Sequence, residues 1–401
     1  MLSTVSVSSD QVRWYRLAAH HLDHRYPLDS LMEAAGVCGV QNSPPGTWET
    51  ALFVRIRDVT AAQLRWKLET EKTLLQAWSF RGVPMVFPTA ESPAFLESLA
   101  ALPGEEPWIY TRGAALALND LGMEWETALT LVRQTAVRLE TCTIQSKQEL
   151  DRFLAGEVDE LLPVGLRERW NAPSPYGHPD RQTVGGAVVS FALRPCAFLG
   201  QVVFGARNGT HPTFTSPVHW LGHPLPSDPQ AGAKLVRKFL HAYGPATPRT
   251  LADWLGSSPR QAKRLWQTVQ QELIPVNKEG AKAWMLEQDL PALLHARPPQ
   301  EPWRLVGAYD PYLDARDRAL LLEDTALQRR VWRTVANPHV ILQEGRAAGI
   351  WKTRTIRGHL DVTVEPFVPI PEEERQELAR QLEEYTVFRG LELRNLQWKE
   401  T

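Results

Sequence analysis

Several side chains suited to contact nucleic acid recur at helical spacing within residues 232–286. Together they make one polar face, which consists of Arg260, Lys263, Arg264 and Gln267. Arginine and lysine neutralise phosphates, and arginine and glutamine can form paired hydrogen bonds to base edges. The segment holds nine Lys or Arg against three Asp or Glu, whereas the whole chain has a net charge of −2. The pattern predicts a surface that contacts DNA; a solvated face on a protein-docking module is the alternative interpretation.

The elements around this face follow the order of a winged helix, which is three helices and then two short strands. Gly244 and Pro245 end the first helix, and Thr247 can cap the second. Ser257 or Ser258 can cap the third. The side of the third helix opposite the polar face is apolar and predicted to be buried, through Ala262, Leu265, Trp266, Val269 and Leu273.

A second basic feature is the hairpin predicted for residues 349–364. Alternation along its first strand puts Lys352 and Arg354 on one face and Trp351 on the other. Arg357 stands at its tip. The hairpin could follow a DNA backbone or enter a minor groove. An edge hairpin protected by its own charges is the alternative interpretation.

Composition excludes several classes of protein. The chain of 401 residues is 43% hydrophobic and 22% charged, which is typical of a globular protein with several domains. No run approaches the roughly 18 apolar residues of a membrane span, and the N-terminus lacks a signal-peptide pattern. We therefore expect a cytoplasmic, nucleoid-associated protein with no membrane contact and no obligate protein partner.

Metal and disulfide chemistry are not expected either. Cys38, Cys142 and Cys196 are scattered without a CxxC spacing, which predicts buried thiols. His20 and His24 stand four residues apart, but the glutamate of an HExxH motif is absent. The sequence therefore predicts no metal site and no cofactor.

The overall pattern predicts an α+β fold of tandem winged-helix (helix-turn-helix) domains with a C-terminal β-rich, barrel-like domain, which an open sheet could replace. Within the second region, AVVSFAL and GQVVFGA are predicted to be strands. The expected divisions are a first winged helix over 1–100, a second winged-helix-like region with a Pro/Gly-rich strand segment over 101–230, a third winged helix over 231–295, and the β-rich domain over 296–401.

Five phrases occur in order along the chain: GVQNSPPGTWETALFVRI (39–56), QAWSFRGVPMVF (76–87), AYGPATPRTLADWLG (242–256), AYDPYLDARDR (308–318) and EGRAAGIWKTR (344–354). As a set they resemble the bacterial winged-helix DNA glycosylases that include the azinomycin-resistance enzyme and the enzyme that unhooks interstrand crosslinks. The resemblance implies tandem winged helices on a concave scaffold that binds duplex DNA, with alkylated DNA as the expected partner.

The resemblance also implies a catalytic site. The family's Gln-x-Gln or Gln-x-Asp triplet falls on Gln41, Asn42 and Ser43, so the second carboxamide or carboxylate is missing. Gln41 could orient water through its carbonyl oxygen, and Asn42 or Ser43 could supply a second contact. The alternative for Gln41 is a turn residue that bonds the local backbone. In a second family segment, Trp-x-x-Arg-Gly-Thr-x-His, Val83 and Met85 replace the threonine and the histidine.

Three functions remain open on this sequence. The first is a metal-independent DNA glycosylase for bulky alkylated purines and crosslinks. It would be monofunctional, because no lysine adjoins Gln41 to form a Schiff base. The second is a non-catalytic DNA-binding protein, a damage sensor or transcription regulator, which Ser43 and Met85 favour. The third is a protein-interaction module without DNA affinity. Asp310, in AYDPY, is interpreted as part of a turn held by charge-assisted bonds, with a functional role as the alternative.

Overall fold

The computed structural model describes residues 5–105, 108–174, 182–209 and 211–400. Its helices are α1 Ser9–Ala19, α2 Leu31–Gly36, α3 Thr47–Phe53, α4 Ala61–Glu69, α5 Ser92–Phe95, α6 Trp108–Leu121, α7 Trp125–Ala136, α8 Lys147–Leu161, α9 Val164–Asn171, α10 Val184–Phe198, α11 Pro217–Leu221, α12 Ala231–Tyr243, α13 Pro248–Leu255, α14 Pro259–Gln267, α15 Leu290–Leu294, α16 Thr325–Val331 and α17 Glu372–Phe388. Its strands are β1 Val5–Val7, β2 Val40–Gln41, β3 Leu74–Trp78, β4 Pro84–Pro88, β5 Val203–Asn208, β6 His211–Thr215, β7 Leu273–Lys278, β8 Ala281–Leu286, β9 Trp303–Val306, β10 His339–Gln343, β11 Arg346–Ile356, β12 His359–Pro366 and β13 Glu392–Trp398. This mixture of helices and strands confirms the predicted α+β class.

The chain divides into two compact units, each built from separate stretches of sequence. The first unit comprises Met1–Trp66, Arg237–Thr250 and Val269–Thr401. The second comprises Lys67–Val236 and Leu251–Thr268. No helix in the described part of the chain is both long enough and apolar enough to cross a lipid bilayer.

Two sheets of the described residues lie entirely within the first unit. In the smaller, β7 and β8 form an antiparallel hairpin, and β1 joins β7 in parallel with Val5 opposite Val276. The larger is open, with strand order β13-β12-β11-β10-β9. The predicted barrel-like C-terminal domain is therefore wrong, and the alternative of an open sheet is correct.

The helix α17 gives the physical reason for the open sheet. It joins β12 to β13 as a crossover, and the two strands consequently pair in parallel. Its Leu378, Leu382 and Tyr385 are buried, and the Tyr385 ring meets Trp351 of β11 edge-on at 5.2 Å. Because a helix covers the apolar face of the sheet, the strands do not have to close on themselves to bury their side chains.

The second unit has a mainly helical core around α10. Thr183 caps this helix by accepting a hydrogen bond from the Gly186 amide at 3.0 Å. The predicted strand AVVSFAL lies inside α10, so that prediction is wrong. Most of the helix is buried, which leaves an apolar run without the periodicity that separates a buried helix from a buried strand. The strand predicted for GQVVFGA is correct in part, because β5 begins at Val203 and pairs with β6.

The predicted order of three helices and two strands is present in α12, α13, α14, β7 and β8. The Thr250 amide donates to Thr247 Oγ1, and the Gln261 amide donates to Ser258 Oγ, both at 3.2 Å. These bonds confirm the predicted cap at Thr247 and show that Ser258, rather than Ser257, caps α14. The predicted apolar face is buried except at Leu273, which is half-buried.

Candidate catalytic turn and nucleic-acid surface

Gln41 ends β2, and Asn42 and Ser43 follow it in the tight turn that leads to α3, in the first unit. The Thr47 hydroxyl donates to the Gln41 carbonyl at 2.6 Å, and Asn42 Oδ1 accepts from the Gly46 amide at 2.8 Å. Gly46 has φ of +93°, a left-handed conformation that favours glycine. These bonds fold residues 41–47 back onto the beginning of α3 and fix the positions of the triplet.

Gln41 is 8% exposed, and its side-chain amide is oriented by one hydrogen bond. Gln41 Nε2 donates to the Ser43 carbonyl oxygen at 2.6 Å. Because that partner can only accept, the nitrogen and oxygen of the amide are assigned without ambiguity. Within the described residues, no donor bonds Gln41 Oε1. Gln41 thus makes the local backbone bond expected of a turn residue. Its Oε1 is still able to accept a hydrogen bond from a water molecule.

Residues of the second family segment, the one that begins at Trp78, pack in the core of the second unit. Trp78 is buried and stacks on Phe214 at 5.2 Å with 10° between the rings. Met85 is buried opposite Ala77 in the β3–β4 hairpin. Arg81 has φ of +57° and donates to the Trp254 carbonyl at 2.8 Å. At the position of the family's histidine, this chain therefore has an apolar side chain that packs inside the unit.

The predicted DNA-contacting face lies on α14, in the second unit. Arg260, Lys263 and Gln267 are exposed. Arg264 differs from them, since it forms two bonds of 2.8 Å with the carboxylate of Glu105. The Arg264 side chain is 35% exposed and that of Glu105 only 4%. The bonds from Arg264 lower the pKa of Glu105, so the carboxylate is held in its charged form.

Two further contacts tie α14 to the segment that carries Glu105. Gln261 is buried and its Nε2 donates to the Leu99 carbonyl at 2.9 Å. A Cβ atom at Gly104 would lie 2.8 Å from Arg260 Nη1, so this guanidinium packs against the glycine. One side of α14 is thus engaged within the unit, while Lys263 and Gln267 face solvent.

The other predicted basic residues share the β11–β12 hairpin of the first unit. Arg354 and Arg357 are exposed, and Arg357 occupies the turn with φ of +50°. Lys352 is half-buried, and its Nζ donates to Glu365 Oε1 at 2.7 Å. Lys399 also bonds Glu365, at 2.8 Å. The tip of the hairpin therefore presents exposed arginines, of which Arg354 lies opposite Asp361, whereas Lys352 belongs to an ion-pair network at the base of the hairpin.

Asp310 of the AYDPY phrase is buried in the first unit. Its two carboxylate oxygens accept from Arg55 Nη1 and Nη2, both at 2.7 Å, and Oδ1 also accepts from the Tyr312 amide at 3.0 Å. Arg55 donates further to the His20 and Ala51 carbonyls. With side-chain exposures of 2% for Arg55 and 0% for Asp310, the pair cannot reach a bound duplex. The contacts favour the interpretation of this phrase as a structural turn.

The histidines and cysteines take structural positions. Burial lowers the pKa of His20 and of His21, which favours their neutral forms. The described residues contain no group of three or more His, Cys, Asp or Glu that could hold a metal ion. Burial raises the pKa of Cys38 to about 12, whereas Cys142 is half-buried rather than fully buried as predicted.

Comparisons with known proteins agree with the resemblance found in the sequence. The model of the family described as "DNA glycosylase AlkZ-like" matches residues 34–388. The interstrand DNA cross-link repair glycosylase of Streptomyces sahachiroi is 25% identical over 382 residues, which cover 91% of each chain. The solved structure of the Streptomyces sahachiroi DNA glycosylase AlkZ matches with a TM-score of 0.75 at 22% identity, covering 98% of this chain and 100% of that one. The predicted family is thereby confirmed, and the fold is shared with that structure.

Proposed function

Because the chain belongs to the AlkZ-like DNA glycosylase family, we propose that it hydrolyses the N-glycosidic bond of bulky alkylated purines in duplex DNA. Purines joined in interstrand crosslinks are included, because a relative is named for crosslink repair. The observation that carries the proposal is the Gln41 amide, whose nitrogen is bonded to Ser43 while its oxygen stays available. Tandem winged helices that bind the duplex form part of the same proposal.

The chemistry requires one water molecule and little acid catalysis. Alkylation at N7 or N3 makes the purine a good leaving group, so the C1′–N bond breaks with its electron pair going to the base. Water then adds to C1′ of the oxocarbenium-like sugar and loses a proton. Gln41 Oε1 can accept a hydrogen bond from this water and hold it near C1′. Burial of the amide favours one orientation, which lowers the cost of positioning.

Each unit contributes its own proposed DNA contacts, from the exposed side chains of α14 in the second unit and from the hairpin tip in the first. Arg260, Lys263 and Gln267 would contact phosphates and base edges from α14. Arg354 and Arg357 would contact the backbone or the minor groove. Arg264 and Lys352 are ion-paired to Glu105 and Glu365, and we propose that they support these elements more than they bind DNA.

Release of the base from a duplex that contains N7-alkylguanine tests the function. Gln41→Ala should lower the single-turnover rate by about 100-fold or more, the usual loss when one positioning group is removed. Duplex affinity should stay nearly unchanged. Gln343→Ala, which removes an exposed glutamine of the same unit, is the matched control. Equal rates for the native protein and Gln41→Ala would remove Gln41 from the mechanism.

A non-catalytic sensor or regulator is the second candidate function, and Ser43 favours it. A serine hydroxyl reaches less far than glutamine and carries no charge, so the triplet lacks the partner that the family motif supplies. The two functions differ in one measurable respect. Tight, salt-dependent duplex binding without base release from any alkylated duplex would favour the sensor.

A further inference from the structure

Glu49 is the acidic residue nearest to the Gln41 turn in the sequence. It is the only Asp or Glu between Glu33 and Asp58, and it lies in the first turn of α3. The family resemblance leaves position 43 without a carboxylate or carboxamide. A charged group near the same turn could therefore compensate for Ser43.

The contacts bring the Glu49 carboxylate close to this turn. A Cβ atom at Gly46 would lie 3.8 Å from Glu49 Oε2, so the side chain folds back over the end of the turn. Gly46 is itself bonded to Asn42, which adjoins Gln41. Glu49 Oε1 is 3.4 Å from Arg65 Nε, and the Glu49 side chain is 16% exposed. The carboxylate is thus partly desolvated and oriented by an arginine.

We infer that Glu49 is the second catalytic residue of this site and supplies the charge that Ser43 lacks. The inference rests on the proposed function. As the C1′–N bond breaks and its electrons leave with the base, the carboxylate stabilises positive charge on the sugar. It accepts the proton that water releases on bonding C1′, while Gln41 Oε1 holds that water. A carboxylate in a partly desolvated site exerts a stronger field than one in bulk water.

Two substitutions separate charge from structure. Glu49→Gln keeps the shape and the hydrogen-bonding capacity of the side chain but removes its charge. It should lower the single-turnover rate of base release by about 100-fold, with duplex affinity unchanged. Adding Ser43→Asp to Glu49→Gln restores a carboxylate at the family position and should recover at least about tenfold of that loss. The matched control is Glu323→Gln, since Glu323 also lies 3.4 Å from an arginine in the same unit.

The rates of base release by these variants either support the inference or overturn it. Loss of rate in Glu49→Gln with recovery on adding Ser43→Asp supports the inference. An unchanged rate, or a loss that Ser43→Asp does not recover, overturns it and leaves Glu49 as a residue that stabilises α3. In both of those cases the native protein is active, so the proposed function stands. A native protein that releases no base would overturn the proposed function and this inference together.

Discussion

Lys263 and Arg264 are neighbours on α14, yet they should respond differently to alanine substitution. Lys263 is exposed, so Lys263→Ala should change the free energy of unfolding by less than about 0.5 kcal/mol. If it contacts a phosphate, its loss should lower the slope of log Kobs against log salt concentration by about 0.9, because one counterion fewer is released.

Arg264→Ala should act mainly on stability. It would leave the buried Glu105 carboxylate without its two bonds from the guanidinium. Breaking a fully buried ion pair costs about 3–5 kcal/mol. Because the Arg264 side chain is 35% exposed, solvent screening reduces the expected loss to about 1–3 kcal/mol. The slope of the salt dependence should remain that of the native protein.

Two measurements on the same variants test this contrast. Urea unfolding followed by tryptophan fluorescence gives the change in stability, and anisotropy of a labelled duplex between about 50 and 200 mM salt gives the slope. Glu105→Gln serves as the control, since it weakens the ion pair without removing any cation from α14. If Arg264→Ala reduced the slope as Lys263→Ala does and left the unfolding midpoint unchanged, the structural role of Arg264 would be refuted.

Two further predictions concern the first unit. Asp310→Asn should destabilise the protein by about 3–5 kcal/mol, because Arg55 would stay buried without a full counter-charge. Glu323→Gln, at an ion pair with Arg346 whose side chains are 83% and 51% exposed, should change urea stability by less than about 1 kcal/mol. Equal losses of stability in the two variants would contradict this. Burial by itself would raise the pKa of Glu365, but hydrogen bonds from Lys352 and neighbouring cations lower it to about 2, from an ordinary value of 4.5. A lowered folded-state pKa means that its stabilisation is complete above about pH 4.5 and lost as the pH falls towards 2. Glu365→Gln should therefore flatten the loss of stability across that range, and an unaltered acid-unfolding profile would count against the network.

The features predicted well from the sequence are those determined by neighbouring residues. The caps at Thr247 and Ser258 and the buried face of α14 follow from residue types within a few positions. The strand predicted for AVVSFAL failed because α10 is buried over most of its surface. A helix without a polar face loses the 3.6-residue pattern, so only its length and its cap at Thr183 could have identified it.

The polar face of α14 shows why a pattern cannot select functional residues by itself. Helical spacing makes Arg260, Lys263 and Arg264 equivalent, and local charge gives no reason to separate them. Their difference comes from Glu105, which lies 159 residues away from Arg264 in the sequence. Glu49 illustrates the opposite case, because its place in the sequence is ordinary and only its approach to Gly46 suggests chemistry. Contacts seen only in the structure are thus the basis of two proposals, that Arg264 supports α14 more than it binds DNA and that Glu49 belongs to the catalytic turn, and each can be tested with a substitution that removes one charge.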